Sequence, residues 1–102
     1  RFHAAQARAL LGSVFLKQGK AAAALAQFEL AVVEHQALLP ADHVLFYSVQ
    51  INRARALEAA GRTAEAREEV RRLLPLVTAK GVEAAGPLDG LRQLAASLGV
   101  AD

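Results

Sequence analysis

Two stretches of the chain say nearly the same thing: GKAAAALAQFELA, from Gly19 to Ala31, and GRTAEAREEVRRL, from Gly61 to Leu73, stand 42 residues apart. Laying the chain on itself with that shift sets Gly19 on Gly61, Lys20 on Arg62, Ala24 on Ala66, Gly12 on Ala54 and Phe15 on Leu57. Small falls on small and large on large. Small side chains at a helix crossing let two backbones approach, while large ones fill the space between turns. Each copy therefore reads as a helix hairpin that cannot bury its apolar face alone and stacks on its neighbour. This restricts the chain to helical-repeat architectures.

Composition agrees. Alanine and leucine dominate, aromatics are 5% of residues, and runs of β-branched residues that favour strands are few. The expectation is an all-α fold. With 102 residues, 54% of them hydrophobic, there is material for one small domain over 1–102 and not for two. The first helix is expected from Phe2 to Gln18, with Ala4, Ala7, Leu11, Val14, Phe15 and Leu16 on its apolar face and Gly19 as its left-handed end. The same period continues from Lys20 to Leu39 through Ala24, Phe28, Ala31 and Val32, and Pro40 stops it. A turn so short makes the pair antiparallel. Asp42 reads as the cap of a third helix, Val44 to Ala60, and Thr63 as the cap of a fourth running towards Gly81, with a kink or early end at Pro75. Gly86 and Pro87 open a fifth segment, Leu88 to Leu98, carrying a stripe of Leu88, Leu91, Leu94, Ala95 and Leu98. That stripe reads as core or cap rather than as a groove for a partner helix. The glycines read as helix ends.

The order of residues in the first hairpin, Leu11–Gly12, Phe15, Gly19, Ala24, Phe28 and Ala31, resembles the tetratricopeptide repeat (TPR) family. In the second hairpin Ala54, Leu57, Gly61 and Ala66 match that order. Arg53 departs from it, standing where leucine is usual, and Val70 and Leu73 replace the aromatic and the alanine. The period of 42 and the ALLPADHV stretch are similar to the longer repeats of the kinesin light chain type rather than to the 34-residue form. The resemblance implies antiparallel hairpins stacked as a short right-handed α-solenoid of about two and a half repeats and five helices: repeat 1 over 1–41, repeat 2 over 42–83 and a capping helix over 86–99. Counting the shift again puts Ala96 of that last helix on the small position of Gly12 and Ala54.

The resemblance also implies that the first helix of each hairpin lines a concave, partner-binding surface. Its ligand-facing positions correspond to Gln6, Ala9, Ser13, Leu16 and Lys17, then to Ser48, Ile51, Arg55, Glu58 and Ala59, and in the half repeat to Gln93 and Ser97. Their mixed polarity suits a peptide or a helix. Ala9 and Ser13 stand where the chaperone-tail-binding version has lysine and asparagine, which argues against that ligand.

Chemistry of other kinds finds no foothold. His3, His35 and His43 are far apart with no second ligand at helical spacing, so no metal and no cofactor is expected. Ser13, Ser48 and Ser97 have no evident base, and no glycine-rich phosphate loop follows a strand, so the chain does not read as an enzyme. A net charge of +2 is far from the basic excess of nucleic-acid-binding domains. Arg53, Arg55, Arg62, Arg67, Arg71 and Arg72 crowd the second hairpin, with Glu58, Glu65, Glu68 and Glu69 among them. This reads as a solvated face with local pairs such as Glu68 with Arg72, rather than as an anion-binding patch. AAQARALLGSVFL is too short and too polar to span a membrane, and the absence of cysteine is compatible with a cytoplasmic protein. The chain opens on Arg1 and has no methionine, which reads as a segment of something longer. The leading expectation is a module that binds a protein or peptide, whether a foreign one or a second copy of itself. Its rivals are a spacer or self-association segment of a larger repeat protein, and the sensor segment of a multidomain bacterial regulator or kinase.

Overall fold

The computed structural model describes residues 2–100, and the domain expected over 1–102 extends past these at either end. The described residues are all-α, in the order α1 (Phe2–Lys17), α2 (Ala21–Leu38), α3 (Val44–Ala59), α4 (Thr63–Lys80), a 3₁₀ turn (Gly81–Ala84) and α5 (Ala85–Leu98). Each helix packs on the next in chain order, and α3 also touches both α1 and α5. The described residues measure 33 × 30 × 18 Å along their principal axes. The shortest of these is about two helices thick, with α1, α3 and α5 in one layer and α2 and α4 in the other.

The 42-residue shift is preserved down to single hydrogen bonds. Gly19 and Gly61 have φ of 77° and 81°, the left-handed conformation in which a Cβ is strained. The Lys20 amide donates to the Phe15 carbonyl at 2.9 Å, and the Arg62 amide to the Leu57 carbonyl at 2.9 Å. Gly19 donates to Leu16 at 3.1 Å, and Gly61 to Glu58 at 3.0 Å. Each bond is the other moved by one repeat, a paired closure that satisfies the last carbonyls of α1 and α3 in the same way.

One core joins both hairpins, with Leu25, Phe28, Ile51, Leu57, Val70, Leu73, Val77, Leu91 and Leu98 among its buried residues. Gly12 of α1 lies against Phe28 of α2: a Cβ there would lie 2.9 Å from the Phe28 ring. In the second hairpin the corresponding pair is Ala54 and Val70, both fully buried. Glycine against phenylalanine has become alanine against valine, so the volume lost on one helix is regained on the other.

Several local expectations are corrected. Asp42 does not cap α3; His43 does, its Nδ1 accepting from the Leu45 amide at 3.1 Å, because the Asp42 carboxylate turns to Lys80 at 3.0 Å. Thr63 is the first residue of α4, and Arg62 at the cap position makes no side-chain cap bond and pairs instead with Glu65. Pro75 neither ends nor splits α4, which runs on to Lys80. The proline is exposed, and burial of Leu73, Leu74 and Val77 around it holds the helix against the lost donor. α5 starts at Ala85, so Gly86 and Pro87 lie inside its first turn, where a missing proline amide costs nothing. The extrapolated register fails in α5: Ala96 is exposed and its neighbour Ala95 is buried, the 3₁₀ turn having altered the phase. Arg72 pairs with Glu69 at 2.9 Å rather than with Glu68. The largest correction concerns α1: of its expected apolar face Phe15 and Leu16 pack against the core, but the stripe of Ala4, Ala7, Leu11 and Val14 lies in solvent while Ala5 and Gly12 turn inward.

Candidate functional site

The layer formed by α1, α3 and α5 brings together many of the residues expected to face a ligand. Gln6, Ala9 and Ser13 of α1 meet Ser48 of α3 around a hollow of about 280 Å³, completed by Leu10, Leu45, Val49, Asn52 and the edge of His35. A second hollow of about 250 Å³ continues from Ser48 along α3 through Ile51, Asn52 and Arg55 to Gly86, Pro87 and Gly90 of α5. Ser48 and Asn52 line both, so the two form one strip running across three helices.

Local chemistry shapes the strip. Ser13 Oγ donates to the Ala9 carbonyl at 3.2 Å, folding its hydroxyl back on its own helix. His35 is buried on α2 with Nδ1 donating to the Ala31 carbonyl at 2.7 Å, so its ring packs and does not protrude. Arg55 is half-buried, its Nη1 donating to Asn52 Oδ1 at 2.9 Å. Its Nη2 lies 2.6 Å from where a Cβ on residue 90 would stand. Gly90 thus lies inside α5 with the Arg55 guanidinium resting over it, contrary to the expectation that the glycines mark helix ends. A mid-helix glycine costs about 1 kcal/mol relative to alanine, and that anomaly was the signal available in the sequence.

The other expected residues fall outside the strip's lining. Leu16 is half-buried and Lys17 exposed at the end of α1, and Ala59 is exposed at the end of α3. Glu58 accepts from Ser97 Oγ at 2.7 Å, tying α3 to α5. Gln93 is exposed and donates to Asp89 at 3.2 Å within α5.

A larger cleft of about 620 Å³ opens on the opposite side, between α2 and α4 with α3 as its floor. Phe46, Tyr47 and Gln50 form the floor, and Val32, Gln36, Arg53, Glu69, Arg72 and Leu76 the walls. None of the ligand-facing residues expected from the sequence lines it. Its charges are internally matched: Arg72 donates to the buried Gln50 Oε1 and pairs with Glu69, and Arg53 pairs with Glu29 at 3.4 Å. At its mouth the Lys80 ammonium, by hydrogen bond first and by charge second, holds the Asp42 carboxyl below the usual carboxylate range. The crowd of arginines in the second hairpin is largely spent on structure in this way, with Arg67 Nε donating to the Leu98 carbonyl at 2.8 Å to close the end of α5.

Among the described residues no three His, Asp or Glu side chains gather as a metal site, and no helix is long and apolar enough to cross a membrane. No family model matches the chain, and no curated protein and no solved structure is significantly similar to it.

Proposed function

We propose that this chain is a non-catalytic helical-repeat module, similar to tetratricopeptide repeats, that holds a peptide or helix of a partner protein against the layer of α1, α3 and α5. In this reading the hairpins stack as a short right-handed solenoid closed by α5. One observation carries it: Gln6, Ala9, Ser13, Ser48, Ile51 and Arg55, drawn from two helices 42 residues apart in register, line one continuous strip. The strip combines apolar walls with a few polar groups able to orient a backbone, the composition of a peptide groove. The Ser13 hydroxyl is turned back onto its own helix, and Ser97 is joined to Glu58 outside the strip.

The test is selection from a displayed peptide library, followed by affinity measurement on the enriched sequence. Arg55→Ala and Ser48→Arg should each weaken binding at least tenfold, a loss of about 1.4 kcal/mol, with the helical circular dichroism unchanged. Loss of binding in Arg72→Ala and Leu76→Ala variants, with Arg55→Ala unaffected, would move the site to the cleft between α2 and α4 and refute the reading.

A further inference from the structure

The stripe of Ala4, Ala7, Leu11 and Val14 that the fold leaves in solvent is part of a larger face. Leu11 and Val14 are 41% and 42% exposed, and Leu30 of α2 is 48% exposed. Between the two helices Arg8 Nε and Glu34 Oε1 stand 2.7 Å apart, at the end of the molecule remote from α5. The internal repeat says what kind of face this is. One repeat later, Ala4, Ala7, Leu11 and Val14 become Phe46, Val49, Arg53 and Ala56; three of these are buried, and the fourth, Arg53, reaches Glu29 of the first hairpin. The first hairpin therefore carries the counterpart of the surface by which the second hairpin joins the core, and no element among the described residues stacks upon it.

We propose that a second copy of this chain covers it, face to face about a two-fold axis passing by Arg8 and Glu34. The charges argue for this occupant. Arg8 and Glu34 stand side by side on this face, so a two-fold axis set across the line joining them brings each Arg8 opposite the other copy's Glu34 and makes the surface complementary to itself. The opposite end of the molecule argues against head-to-tail growth. There the outer side of α5 exposes Asp89, Arg92, Gln93 and Ala96, which give a second copy's apolar stripe little to bury against. Association then closes at two copies instead of running on as a filament. Gln6, Ala9 and Ser13 line the strip towards α3 and not this face, so the dimer is independent of the peptide reading and leaves that groove open.

Sedimentation equilibrium of the chain from about 1 μM to about 1 mM spans the affinities expected of a modest interface. The wild type should pass from monomer to dimer with no larger species. Arg8→Glu and Glu34→Arg each set like charges across the axis, and each alone should associate at least tenfold more weakly. Mixed in equal amounts, the two variants should dimerise again, because every facing pair is then of opposite sign. Leu30→Lys, on a side chain already half in solvent, should abolish the dimer with its circular dichroism and melting temperature retained, and it covers the case in which a charge reversal perturbs folding. A wild type that stays monomeric over the whole range, assemblies that grow beyond two copies, or a mixture no better associated than its components would each overturn the proposal.

Discussion

Substituting Gly12→Ala sets two effects of known sign against each other. Inside a helix the change by itself stabilises by roughly 0.5–1 kcal/mol, because alanine has less backbone freedom to lose. Here the new Cβ would meet three Phe28 ring carbons at 2.9 to 3.0 Å, well inside the separation of about 3.5–4.0 Å at which carbon pairs attract. Phe28 is fully buried, so its ring has no solvent to move into. Overpacking of this kind costs about 1–3 kcal/mol, which outweighs the propensity gain and leaves a net loss of about 1–2 kcal/mol. For a domain of this size that lowers the melting temperature by about 5–10 °C. Phe28→Val alone opens a cavity and costs about 2 kcal/mol. The double variant rebuilds in the first hairpin the pairing that Ala54 and Val70 make in the second. It should therefore be more stable than the sum of the singles by about 1–2 kcal/mol, a coupling within the range of residues in contact. Urea unfolding followed by circular dichroism of the four proteins completes the cycle. A more stable Gly12→Ala variant, or strictly additive singles, would refute the account of this helix crossing.

Two further outcomes follow from single contacts. The Asp42 carboxyl is held below its ordinary value by Lys80, so its contribution to stability is present above the unfolded-state value of about 3.9 and fades as pH falls through the lower folded value. The small difference in melting temperature between wild type and Asp42→Asn, both groups of the pair being at the surface, should shrink to nothing between pH 5 and the acid limit, and a difference that grows on acidification would contradict the pairing. Removing the Arg67 bond to the Leu98 carbonyl by Arg67→Ala should cost about 1 kcal/mol and speed hydrogen exchange of the amides at the end of α5, with those of α1 unchanged. Uniform exchange across the chain would show that Arg67 does not anchor that helix.

The features readable from the residues are those that local rules decide. Gly19 and Gly61 stop their helices by left-handed backbone, and the period of Ala24, Phe28 and Ala31 marks the buried side of α2, because turn chemistry and helical spacing act within a few residues. The repeat itself, and the all-α class with it, comes from the same short-range patterns. Tertiary structure decided which of two apolar sides of α1 turns inward: both carry alanine or leucine, and the side bearing Ala5 is the one on which Gly12 meets Phe28. It also decided that Asp42 serves Lys80, 38 residues away, instead of the helix it precedes, since a charged partner competes with a free amide only once the chain has folded. Gly90 beneath Arg55, the phase of α5 after its 3₁₀ turn, and the cleft floored by Phe46, Tyr47 and Gln50 belong to the same class. Each depends on contacts between residues distant in the chain, which no local pattern encodes, whereas a hairpin and its turn are settled by residues that are already neighbours.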